Sequence, residues 1–96
     1  MHKILLVEDS KEIHQMVAQA IGNMVELTWA ATVNEATQTL TNNNFSLILL
    51  DVELPDGNGI DLCSKIQASN PNLPIFFLTA HAGLSEKSFR LLGWCG

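Results

Sequence analysis

Positive charge is scarce in this chain. Five lysines and arginines stand against ten aspartates and glutamates, for a formal net charge of −5, and Lys3, Lys11, Lys65, Lys87 and Arg90 are scattered along the sequence. Nothing here favours a nucleic-acid backbone or an anionic membrane surface as partner. No apolar run approaches the roughly 20 residues of a membrane span. The opening Met1-His2-Lys3-Ile4 has no secretory cleavage pattern, so a cytoplasmic location is expected. Cys63 and Cys95 have neither CxxC spacing nor a His/Cys cluster nearby, and read as two reduced thiols. Repeats, low-complexity tracts and Pro/Gly/Ser linkers are also missing. What is left is a single domain over residues 1–96, and 47% hydrophobic against 16% charged residues argues for a packed core.

What is present is an alternation of strand and helix patterns. The run at 3–7 reads as a buried strand. A helix follows over about 10–21, where Ile13, Met16, Val17, Ala20 and Ile21 repeat at helical spacing before Gly22-Asn23 stop it. Residues 25–30 alternate as an edge strand. Thr32-Val33-Asn34-Glu35 is a capping box opening a second helix, which carries Val33, Ala36 and Leu40 inward. Ser46-Leu47-Ile48-Leu49-Leu50 is a third strand. A third helix starts near Gly59, buries Ile60, Cys63 and Ile66, and ends at Asn70-Pro71-Asn72. Residues 74–78 form a fourth strand, and a fourth helix is expected from about 84 to 92. The tally is (βα)4, an α/β chain with a doubly wound parallel sheet.

The chemistry gathers where the strands stop. Asp51 ends the third strand and Glu8-Asp9 follow the first, so three carboxylates converge at the carboxyl edge of the sheet, where ligands bind in open α/β folds. At about 4 Å, like charges repel by roughly 4 kcal/mol at an effective dielectric near 20. Such a cluster either keeps a proton or binds a divalent cation, and hard oxygen ligands select Mg²⁺ or Mn²⁺. A carboxylate beside that ion can attack phosphorus. Thr79, at the end of the fourth strand, offers a hydroxyl to a phosphoryl oxygen. Singly, each residue has a plainer explanation: acids that end strands often cap helices, and a threonine often just ends a strand. It is their joint occurrence at three strand ends that points to one site.

These residues also carry a family resemblance over residues 3–87. Lys3-Ile4-Leu5-Leu6-Val7-Glu8-Asp9, Leu49-Leu50-Asp51-Val52-Glu53-Leu54-Pro55-Asp56-Gly57-Asn58-Gly59 and Phe77-Leu78-Thr79-Ala80-His81 resemble the three signature strands of the receiver domain of two-component response regulators. The resemblance implies a CheY-like, flavodoxin-like fold with strand order 2-1-3-4. It implies that Asp51 is the phosphoacceptor and that Asp9, Glu8 through water, and the Glu53 backbone carbonyl hold Mg²⁺ with Asp51. Thr79 would be the switch hydroxyl, with Ala80 small enough to admit the phosphoryl group. The implied donor is the phosphohistidine of a histidine kinase or phosphotransfer protein. Such a domain is no enzyme beyond its own phosphoryl transfer and dephosphorylation. Glu53, if its side chain faces the site mouth, should alter those rates by repelling anions.

The same resemblance marks an incomplete pattern. Receivers carry a lysine on a fifth strand and then a fifth helix, further along than Gly96. Lys87 and Arg90 are the cations after Thr79, and both fall in the expected fourth helix. The ending Trp94-Cys95-Gly96, followed by a stop, can be read as a one-base shift of codons for Gly-Ala-Asp-Asp, a stretch with which receivers often close that helix. A chain truncated after the fourth helix, with no output domain, is therefore expected. Its fourth strand would be an exposed apolar edge, which predicts a homodimer through that strand or by exchange of elements. The alternative is a degenerate receiver that associates with itself or other proteins without phosphorylation. A phosphohydrolase using Asp51, with Glu53 as the second acid, fits the Leu54-Pro55-Asp56-Gly57 continuation less well.

Overall fold

The computed structural model describes residues 2–82 and 87–94, with side chains through residue 78 and at residues 93 and 94. Strand β1 (His2–Val7) leads into helix α1 (Lys11–Ile21), whose N-cap Ser10 accepts from the Ile13 amide. The helix closes on Gly22 at φ 72°, a left-handed conformation that glycine adopts without steric cost. A 3-10 turn (Gly22–Met24) then feeds β2 (Val25–Ala30). Helix α2 (Val33–Asn42) has Thr32 as N-cap, accepting from the Glu35 amide. The Glu35 carboxylate reaches back to the Ala31 amide, one residue earlier than a strict capping box requires.

Strand β3 (Leu47–Asp51) is followed by a two-residue hairpin, β4 (Glu53–Leu54) and β5 (Gly57–Asn58), then by α3 (Gly59–Ser69) and β6 (Ile75–Ala82). Strands β1, β2, β3 and β6 are parallel in the order β2-β1-β3-β6, the doubly wound order expected above. Side-chain alternation divides the core between the two faces. Leu5, Val7, Ile48, Leu50 and Ile75 meet Ala36, Leu62, Cys63 and Ile66 of α2 and α3. Leu6, Leu49 and Leu78 meet Ile13 and Val17 of α1 on the other face. Burying one such side chain fully is worth about 1.5–3 kcal/mol.

The structure corrects the sequence reading at the C-terminal side. The fourth helix expected from about 84 to 92 is not formed over residues 87–92. Those residues belong to β7 (Lys87–Trp94), antiparallel to β6 and last in the sheet. The fourth strand, β6, is therefore not an exposed edge. Its backbone groups have a partner strand, which outweighs the helical preference of a short segment. Residues 83–86, where that helix was expected to begin, lie outside the described residues. The β6–β7 register shifts between Phe77 and Leu78, and the ring of Phe76 meets Trp94 edge-on at 5.0 Å.

Cys63 is buried and disulfide-bonded, contrary to the reduced thiol expected; Cys95 lies outside the described residues. Among the described residues no helix is long and apolar enough to cross a membrane.

Candidate metal centre

Two strand ends build the site. β1 delivers Glu8 and Asp9 just past Val7, and β3, its parallel neighbour, ends on Asp51. Glu8, Asp9 and Asp51 each offer a carboxylate oxygen, and these atoms lie within 4.8 Å of one another. The three expected acids are thus brought together. Glu8 is buried, Asp51 partly buried and Asp9 exposed, so the cluster opens to solvent on the Asp9 side.

Glu8 is the unusual member. Only 1% of its surface is exposed. One oxygen, Oε1, accepts from the Ser10 amide at 3.0 Å, whereas Oε2 is buried with no hydrogen-bond donor. The neighbours of this carboxyl are the acceptor groups of Asp51 and Asp9, so contact between them needs a proton or a cation. Burial, assisted by the charge of Asp51, pushes the Glu8 pKa up to about 8. Burial also raises the Asp51 pKa, opposed by hydrogen bonds from Glu8 and from the Glu53 amide. A buried carboxyl oxygen without a donor, facing two further carboxylates, fits a divalent cation of the hard, oxygen-seeking class.

The segment after Asp51 is folded tightly onto it. The Glu53 amide points to Asp51 Oδ1 at 3.4 Å, and the Gly59 amide donates to the Val52 carbonyl at 2.8 Å. A Cβ on Gly59 would overlap the Asp51 carbonyl oxygen, so glycine is needed here for close approach. The Glu53 side chain is exposed. Thr79 does not end its strand, because β6 runs on to Ala82; it follows Leu78, the residue that pairs with Asp51 across β3 and β6, so its backbone lies one step past the end of β3. Lys87 and Arg90, expected on a helix, pair instead with Ala82 and Thr79 in the β6–β7 ladder.

Three further residues shape the site and were not marked as doing so by the sequence. Asp56, at the turn of the β4–β5 hairpin, accepts from the amides of Val33 at 2.7 Å and Asn34 at 3.0 Å, tying the segment after Asp51 to the start of α2. Trp29 donates its indole N–H to the Glu8 carbonyl at 2.6 Å, and His14 stacks on that indole. Each contact links residues far apart in sequence, so no local spacing announces it.

Comparison with known proteins agrees with this architecture. Residues 4–91 match the family model of the response regulator receiver domain. Response regulator protein PilR of Pseudomonas aeruginosa is 36% identical over 83 residues, covering 85% of this chain and 19% of PilR. Transcriptional regulatory protein LytR of Staphylococcus aureus is 34% identical over 93 residues, 93% of this chain and 37% of its own length. The chain therefore spans well under half of these curated relatives. Among solved structures, the non-phosphorylated HemR receiver domain of Leptospira biflexa superposes with a TM-score of 0.75 at 39% identity, covering 86% of this chain and 68% of that one. Response regulator TrrA of Thermotoga maritima, solved in complex with Mg(2+)-BeF, gives 0.74 at 25% identity over 78% of this chain and 66% of its own.

Proposed function

The chain belongs to the response regulator receiver family, and from that premise we propose that it is a Mg²⁺-dependent phosphoacceptor in two-component signalling. The observation that carries this reading is the Glu8, Asp9 and Asp51 cluster, with its buried, donorless Glu8 oxygen. Glu8, Asp9, Asp51 and the Glu53 backbone carbonyl would hold the ion, Glu8 acting through water. When bound, Mg²⁺ or Mn²⁺ neutralises charge on the phosphoryl oxygens. Asp51 acts as nucleophile: its carboxylate oxygen forms a bond to phosphorus while the bond from phosphorus to the donor's histidine nitrogen breaks, and the histidine leaves. The Thr79 hydroxyl donates to a phosphoryl oxygen of the product. The donor is a histidine kinase or phosphotransfer protein, the compartment the cytoplasm, and no nucleic-acid or membrane partner is proposed.

A second reading is favoured by one feature. Lys87 and Arg90 lie on β7, antiparallel to β6, rather than on a parallel fifth strand. On that reading the chain is a degenerate receiver that associates with itself or another protein without accepting phosphate. In either reading we propose homodimerisation by exchange of β7 between copies.

Incubation with acetyl phosphate or phosphoramidate and Mg²⁺, followed by intact-mass measurement, separates the two. Addition of one phosphoryl group, abolished in Asp51→Asn, supports the phosphoacceptor. A wild-type chain that binds Mg²⁺ but never gains phosphate supports the degenerate receiver.

A further inference from the structure

Trp29 sits one residue from the end of β2, at the edge of the sheet, and is 36% exposed. It belongs to neither buried core cluster, and the core closes without it. Its indole is nonetheless committed on two sides. Nε1–H donates to the Glu8 carbonyl at 2.6 Å. The ring stacks on His14 of α1, with centroids 4.4 Å apart and planes inclined by 11°. The Glu8 amide donates to the Ala30 carbonyl at 3.0 Å, so the Glu8 residue is held to β2 through both its N–H and its C=O.

That grip falls on the link that carries two of the three acids. Glu8 and Asp9 lie past the last paired residues of β1 and β2, Val7 and Ala30, on the short link to α1. A cation that displaces the proton of this cluster needs the acids of the link held at a fixed distance from Asp51 on β3, and the ionised groups repel one another until it binds. The Ser10 amide restrains the Glu8 side chain. Trp29 restrains its main chain, and His14 fixes the indole in turn. Groups that orient ligands in this way tune affinity for a metal without touching it.

We propose that Trp29 is a positioning residue for the cation site, holding the Glu8-Asp9 link in register with Asp51 through its indole N–H, with His14 as the stacking support. This rests on reading the acidic cluster as a cation site. The test uses the full chain with Mn²⁺ as the probe, its dissociation constant read from loss of the free-ion paramagnetic resonance signal, alongside the metal-free melting temperature. Two replacements are compared: Trp29→Phe, and a synthetic chain carrying benzothienylalanine at position 29, which keeps the ring shape and lacks the N–H donor. Both should weaken Mn²⁺ binding by about three- to tenfold, the equilibrium equivalent of one lost hydrogen bond, while the metal-free chain with benzothienylalanine stays fully folded at the assay temperature. Wild-type affinity with benzothienylalanine overturns the inference and leaves the cation site standing. A fall in melting temperature that accounts for the whole loss of affinity also overturns it, by assigning Trp29 to general packing. A wild-type chain that binds no Mn²⁺ overturns the cation-site reading itself, and this inference with it.

Discussion

Glu8 makes the folded chain sensitive to pH in a direction opposite to that of most carboxylates. Its ordinary value is 4.5 and burial raises it to about 8, so between these limits the folded state holds a proton that the unfolded chain has released. The stabilisation is complete below about 4.5 and is lost as pH rises through about 8. Thermal melts in chelator should therefore fall in temperature from pH 5 to pH 9, and Glu8→Gln should flatten that slope. Because a cation must displace the same proton, Mg²⁺ affinity should rise by up to about tenfold per pH unit below 8. Calorimetry in buffers of different ionisation enthalpy would detect the released proton. Gly59→Ala forces a Cβ against the Asp51 carbonyl; the expected cost is about 1–3 kcal/mol in urea unfolding, since backbone rather than a flexible side chain must move. Asp56 works with the opposite pH sign to Glu8. Its pKa is lowered by the Val33 and Asn34 amides, so Asp56→Ala should lower the melting temperature at neutral pH, by an amount that vanishes as pH falls below the ordinary carboxylate range.

At the scale of the element, the helix starts were readable and the last strand was not. Ser10 and Thr32 cap α1 and α2 as their positions in the sequence indicate, because a cap depends on residues three apart. Thr32→Ala should cost about 1 kcal/mol by the same chemistry, measurable in urea. A helix was expected from about 84 to 92, yet residues 87–94 pair with β6. The state of that segment depends on a partner whose open edge no local window contains. If that pairing is what protects β6, a chain shortened to end at Ala82 should form assemblies larger than a dimer, or precipitate, at concentrations where the full chain does neither. Light scattering on the two chains side by side decides the point, and equal behaviour would remove β7 from this role.

Across the whole molecule, both faces of the parallel sheet are covered, α2 and α3 on one side and α1 on the other. The parallel arrangement is what makes the site: it sets the carboxyl ends of β1 and β3 side by side, with Leu78 of β6 paired to Asp51. With β7 as the outermost strand, the self-association proposed above would exchange the β6–β7 pairing between copies. The expected result is a dimer in light scattering at micromolar concentration, whose population falls when β7 is held to β6 by a disulfide engineered across paired positions. A monomer throughout would exclude exchange.

Leu47 to Leu50 and Leu5 to Val7 are short apolar runs that end in acids. That local pattern by itself determined the parallel strands, the meeting of Glu8, Asp9 and Asp51, and the hard cation they suit, because an abrupt change from apolar to acidic is written in consecutive residues. Only the tertiary structure decided which acid loses its solvent. Glu8 and Asp9 are adjacent in sequence, yet one is buried with a donorless oxygen and the other is exposed. Only it decided that Trp29 and Asp56 grip the two segments carrying the carboxylates, and that residues 87–94 complete a sheet. Desolvation, long-range hydrogen bonds and strand pairing all depend on which distant residues share a volume, and that is fixed only when the chain closes on itself.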